Sequence, residues 1–202
     1  KQYKRTSRHG LKLCFLLLLC LTCWTNAAHA LTQDKDGYYL ITSAQDLVDF
    51  SSYVATIQDS QNLKARQTAN IDMSGVTWKP IGDAYDNTYD GIYDGGYYTI
   101  SNLTYSSSNT YCGGLVNYLY GTVENVTMVN VSVTATGTAE YAGAIAAYSR
   151  GTIKCCRVNS GTIKSTASGT RSEVGGIAGE SLGTVENCYN AAAIANNYSG
   201  TE

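Results

Sequence analysis

Three segments of this chain repeat one pattern with no insertion inside it. They begin at Gly113 (Gly-Gly-Leu-Val-Asn-Tyr-Leu-Tyr-Gly-Thr-Val-Glu-Asn-Val), Gly143 (Gly-Ala-Ile-Ala-Ala-Tyr-Ser-Arg-Gly-Thr-Ile-Lys-Cys-Cys) and Gly175 (Gly-Gly-Ile-Ala-Gly-Glu-Ser-Leu-Gly-Thr-Val-Glu-Asn-Cys). In each, the first glycine precedes a Gly-Thr pair by eight positions: 113 and 121, 143 and 151, 175 and 183. Variation in length is confined to the Thr-, Ser- and Gly-rich segments Ala135–Glu140 and Ser165–Glu173. A rigid unit with elastic loops is the signature of a stacked repeat, in which each unit buries its apolar face only against its neighbours.

The units are rich in Gly, Thr, Val, Ile and Asn and poor in long charged side chains, which disfavours helical repeats. Three short strands per unit are predicted. The first runs through Leu115-Val116, Ile145-Ala146 and Ile177-Ala178; the second starts at Thr122, Thr152 and Thr184; the third covers Val131–Val133, Thr162-Ile163 and Ala193-Ile194. Gly121, Gly151 and Gly183 are expected to close a turn at positive φ. The fold class that follows is all-β, a parallel β-solenoid whose coils stack about 4.8 Å apart, so that equivalent side chains form ladders. Leu115, Ile145 and Ile177 make one expected interior ladder, and Val123, Ile153 and Val185 another. Val126, Cys156 and Cys188 make a third, with cysteine acting as a small buried hydrophobe. Cys155 is expected to point away from Cys156. Cys156 and Cys188 are read as packed thiols, because parallel side-chain vectors suit a disulfide poorly.

Upstream, Tyr38–Ile41 reads as a strand. Ser43 with Asp46 three places on reads as a helix N-cap, and Leu47, Phe50, Val54 and Ile57 form an apolar stripe at helical spacing. Such a helix, laid over the solenoid's open end, would protect strand edges from pairing with other chains. Ile71–Met73 and Trp78–Ile81 read as first-coil strands. The domain boundaries expected are residues 1–30, 31–78 (strand, helix cap and first coil) and 79–202 (repeats). The pattern stops inside an inter-unit segment at Asn196–Glu202, and further coils are expected beyond it.

Residues 1–30 have the form of a secretory signal. Lys1, Lys4, Arg5, Arg8 and Lys12 precede the apolar run Leu13–Leu21, and Ala28-His29-Ala30 supplies a small-x-small cleavage site before Leu31. The run falls short of the roughly 20 residues needed to span a bilayer. The expected location is secreted or cell surface, through a cleaved signal peptide, with no membrane insertion of the mature part. His9 and His29 are the two histidines of the chain, so the mature part would lack an imidazole for a catalytic triad, a His-ligated zinc or a pH switch. All 16 acids but only nine of the 14 bases lie after position 30, a net −7, which argues against nucleic acid as a partner.

Taken together, the Gly113 and Gly175 units, with Ile71–Gly82 and Tyr89–Leu103 upstream, resemble the GLUG repeats of large secreted or surface-attached bacterial proteins. The Gly143 unit departs from that pattern at Ala144 and Cys155. The resemblance implies a right-handed parallel β-helix, export, and a part in adhesion or as a stalk beside other modules, some of them peptidases. It brings no catalytic residues.

Local chemistry is sparse. Asp83, Tyr85, Asp86, Tyr89, Asp90, Tyr93 and Asp94 cluster in twelve positions and could serve calcium or a glycosidic acid–base pair. Their spacing matches no calcium loop, and Asp90-Gly91 and Asp94-Gly95 read better as turns, with glycine allowing φ > 0. A β-helix lyase would need a cationic groove, whereas Lys154 aligns with Glu124 and Glu186 and mixes the signs. Tyr118 and Tyr148 align with Glu180, so an aromatic ladder lapses at the third unit. Four Asn-x-Ser/Thr sequons, at Asn102, Asn125, Asn130 and Asn197, carry no weight in a bacterial chain. The expectation is therefore a non-enzyme with no catalytic, cofactor or metal residues, displaying surface for host or bacterial glycans or proteins, or acting as a rigid spacer. A carbohydrate-active β-helix enzyme, or the front end of a multidomain peptidase, are the alternatives.

Overall fold

The computed structural model describes residues 30–82 and 86–198. Residues 1–29 of the expected leader, with Asp83 and Tyr85 of the acidic cluster, lie outside the described residues. Residues from Leu31 onward form one compact unit, a parallel β-solenoid of about 5 turns with one short helix.

Each complete turn carries five strands rather than the three expected, and the strands line up in five parallel sheets. The longest sheet stacks Tyr38–Ile41, Lys64–Gln67, Ile92–Asp94, Thr122–Glu124, Thr152–Lys154 and Thr184–Glu186. The second, here the narrow sheet, stacks Ile71–Asp72, Thr99–Ser101, Thr127–Val129, Arg157–Val158 and Tyr189–Asn190. A third holds Thr104–Ser107, Val131–Ala135, Gly161–Ser165 and Ala193–Asn196. Two three-stranded sheets complete the turn, through Tyr111–Gly113, Tyr141–Gly143 and Glu173–Gly175, and through Val116–Leu119, Ala146–Ser149 and Ala178–Ser181.

The register follows the repeat. Ile153 pairs with Val123 on one side and Val185 on the other, and Ile163 with Val133 and Ile194. Side chains alternate across each strand, so Val123, Ile153, Val133 and Ile163 are fully buried. Ile177, in the last turn, is partly buried against the same core that holds Leu115 and Ile145.

Two corrections follow from backbone geometry. Gly121, Gly151 and Gly183 are not at positive φ. They are glycine because of close approach: a Cβ on Gly151 would sit 2.0 Å from the Gly121 carbonyl oxygen, and one on Gly183 would sit 2.0 Å from that of Gly151. The left-handed turn comes four residues later, at Asn125, Cys155 and Asn187 (φ 57°, 55° and 53°). It breaks what looked like one continuous strand in two. Asparagine tolerates this region because its short polar side chain bonds locally, and Cys155 therefore sits on a bend, not on a regular strand. A second left-handed pair, Asn102 and Asn130, builds a polar ladder. The Asn130 amide donates to Asn102 Oδ1 at 2.7 Å, and the Asn102 amide to Asp72 Oδ1 at 2.8 Å.

The helix spans Ala44–Val54. Ser43 Oγ accepts the Asp46 N–H, and Asp46 Oδ2 accepts the Thr42 N–H at 2.9 Å and the Thr42 hydroxyl at 2.6 Å. Leu47, Phe50 and Val54 are fully buried; Ile57 lies past the helix end. The stripe plugs the core where Tyr38–Ile41 is the edge strand, and the Phe50 ring meets Tyr89 edge-on at 6.0 Å. At the other end of the helix the Asn87 amide donates to the carbonyls of Val54, at 3.3 Å, and Ile57, at 3.1 Å. Trp78–Ile81 is not a strand. Pro80 has no N–H for a ladder; Trp78 is buried, with its indole N–H on the Gly114 carbonyl at 2.7 Å, and Ile81 makes a single bridge to Val116.

Candidate functional site

Two carboxylates of the acidic cluster, Asp90 and Asp94, are taken up by structure. Asp94 Oδ1 accepts the Gly96 N–H at 2.9 Å and the Asn125 amide at 3.0 Å, while Oδ2 faces Arg66 Nε at 3.3 Å. Arg66 stacks 3.9 Å over the Tyr38 ring and reaches Asp34 at 3.4 Å. Asp34 is held below the usual carboxylate range, first by the Tyr38 N–H it accepts. Asp90 accepts the Thr88 hydroxyl at 2.6 Å. Tyr89 and Tyr93 are fully buried, and burial pushes both phenols up. Within this turn Gly96, not Gly91 or Gly95, is the left-handed glycine. Among the described residues, no three or more His, Cys, Asp or Glu are grouped to hold a metal ion.

The thiols divide by depth. Cys112 and Cys156 are buried and Cys155 and Cys188 partly exposed, all four free. Cys156 donates to the Lys154 carbonyl at 3.3 Å, and burial raises its pKa to about 12; Cys112 is likewise raised to about 11.

A tyrosine seam runs up the two three-stranded sheets. Tyr111 and Tyr141 stack at 5.7 Å in one column and Tyr118 and Tyr148 meet at 4.7 Å in the other. In the next turn the columns continue as Glu173 and Glu180. Arg171 pairs with both glutamates and lies 4.9 Å over the Tyr141 ring. Burial raises the Tyr141 phenol to about 12. The rings pack on one another, which makes the seam an outer mini-core and not an open platform.

An open concavity lies on the narrow sheet. A groove of about 530 Å³ is lined by Tyr97, Thr99, Thr127, Cys155, Arg157, Asn159 and Asn187. Thr99, Thr127, Arg157 and Tyr189 form one outward column by register. Beside it, the register of the same strands places Tyr97, Asn125, Cys155 and Asn187 in the left-handed column, with the Tyr97 N–H on the Asn125 carbonyl at 3.0 Å. Tyr97 has φ 63° and is 74% exposed. A bulky residue in that conformation costs about 1–3 kcal/mol; the neighbouring turns fill the position with the smaller Asn125, Cys155 and Asn187. Among the described residues Arg157 makes no ion pair, unlike Arg66, Lys154 and Arg171. Sequence reading missed this groove. Gly95-Gly96 shifts the period here, so Tyr97 aligns with Asn125 only when Tyr97-Tyr-Thr-Ile is set against Asn125-Val-Thr-Met.

No family model matches the chain. It is 34% identical over 110 residues to halomucin of Haloquadratum walsbyi, covering 49% of this chain but 1% of halomucin. Its fold is similar to the crystal structure of a "putative immunoglobulin A1 protease" from Bacteroides ovatus, with a TM-score of 0.57 and 20% identity over 84% of this chain and 69% of that one. That likeness shows a shared solenoid fold.

Proposed function

We propose that this chain is a non-catalytic segment of an exported bacterial protein, of GLUG type, that displays ligand-binding surface on a stiff β-solenoid at the cell surface or in the medium. The observation that carries the reading is the placement of Asp90 and Asp94. Asp90 and Asp94 are spent on turns and on Arg66, which supports reading the outward polar columns as surface for recognition. The leader supports export, and the partial match to the far longer halomucin supports a module within a larger chain. The name of the Bacteroides ovatus protein favours a second reading, the non-catalytic front end of a peptidase.

The test is a panel of polysaccharides and host surface proteins, scored for binding and for turnover by residues 31–202. Binding without turnover is expected. Turnover that disappears in Asp90→Asn or Asp94→Asn would reverse the conclusion.

A further inference from the structure

We infer that the groove on the narrow sheet is a binding site for a carboxylate-bearing saccharide, with Tyr97 as the stacking platform and Arg157 as the carboxylate partner. This deepens the display reading above and rests on it.

The left-handed column assigns the platform. Asn125 and Asn187 occupy their positions at φ 57° and 53° with a residue suited to them, and Cys155, at 55°, with a small side chain. Tyr97 occupies the same position with a large exposed ring that folding does not require there. A strained residue held in place by its surroundings points to function, and the ring lines the groove. An aromatic face exposed beside hydroxyls and amides suits a sugar, which offers a flat C–H face and a rim of hydroxyls. Thr99, Thr127, Asn159 and Asn187 supply those polar groups.

Arg157 assigns the charge. Its guanidinium is exposed at the middle of the outward column, next in register to Tyr189, which is 55% exposed. The planar fork of arginine matches a carboxylate with two parallel hydrogen bonds. A surface that is otherwise net acidic makes an unpaired arginine inside a groove a selective feature for a single carboxylate, not for a polyanion.

The experiment titrates residues 31–202 with a hexuronate trimer and with a neutral hexose trimer, followed by amide chemical shifts. Saturable shifts confined to Tyr97, Thr127 and Arg157 are expected, with a Kd of about 1 mM or tighter. The neutral trimer should bind about tenfold more weakly, and Arg157→Gln should abolish that preference. Tyr97→Asn should weaken both trimers about fivefold while raising Tm, since the strain is relieved; a folding defect would lower it. The bound acidic trimer should also slow alkylation of Cys155. Equal affinity for both trimers, no saturation by about 10 mM, or unchanged binding in both variants would overturn the assignment. The two readings fail separately: glycan binding that survives both substitutions removes this groove but keeps surface display, whereas turnover of a bound glycan removes the non-catalytic reading.

Discussion

The carbonyl oxygen of Gly121 lies 2.0 Å from the point where a Cβ on Gly151 would stand. Successive turns therefore touch backbone to backbone at this corner, and Gly91, Gly121, Gly151 and Gly183 form one column in which each leaves room for a carbonyl oxygen of the turn before it. Gly151→Ala should displace the rigid backbone of the preceding turn at Tyr120 and Gly121. A loss of about 3 kcal/mol is expected in urea unfolding, at the upper end for overpacking, with Gly169→Ala as a comparison in which a Cβ comes no nearer than 3.4 Å to Thr138, an ordinary contact.

Burial within one ladder is graded, and stability should follow it. Ile163 is fully buried, whereas Ile194, its partner in the last turn, is 49% exposed. Ile163→Ala should cost about 3 kcal/mol and Ile194→Ala less than half of that. Equal losses in chemical denaturation would contradict the register.

The helix cap is local and separable. Ser43→Ala removes the acceptor of the Asp46 N–H and should cost about 1 kcal/mol. Helical signal in circular dichroism should fade before the β signal on heating.

Alkali should unfold the protein through its buried thiols. The pKa of Cys156 is raised to about 12 and that of Cys112 to about 11, each by burial, from 9.0. A raised folded pKa contributes stability that is complete below pH 9 and is lost as pH climbs towards the folded value. Cys156→Ala should move the alkaline transition upward. On the acid side the sign is opposite: Asp34 and Asp72 are lowered, by the Tyr38 N–H and by the Asn102 amide respectively. Stability should hold above about pH 4 and fall below it as those carboxylates protonate.

Thiol reactivity should report depth. Under native conditions iodoacetamide should label Cys155 and Cys188 well before Cys112 and Cys156, read by mass spectrometry of the digest.

The coil itself was legible because the Gly-to-Gly-Thr spacing tolerates no insertion, and that spacing alone puts Val123, Ile153 and Val185 in one column. The N-cap was legible for the same local reason: Ser43 and Asp46 need only three residues to find each other. The narrow sheet was hidden. Its strands are two or three residues long, and the left-handed bend at Asn125, Cys155 and Asn187 looks in sequence like the middle of one strand. Glycine at the corner suggested positive φ, but the cause is the distance between turns, which no single unit contains. Tyr97 stayed invisible as a site residue because Gly95-Gly96 shifts its register. Its departure from asparagine appears only once coils are stacked.

The central claim is that consecutive units lie side by side, in parallel and in register. Nuclear Overhauser contacts of the Ile153 amide in isotope-labelled residues 31–202 test it most directly. Contacts to the backbones of both Val123 and Val185 are predicted. Contacts to a single antiparallel partner, or only to residues three and four places away in sequence, would contradict it.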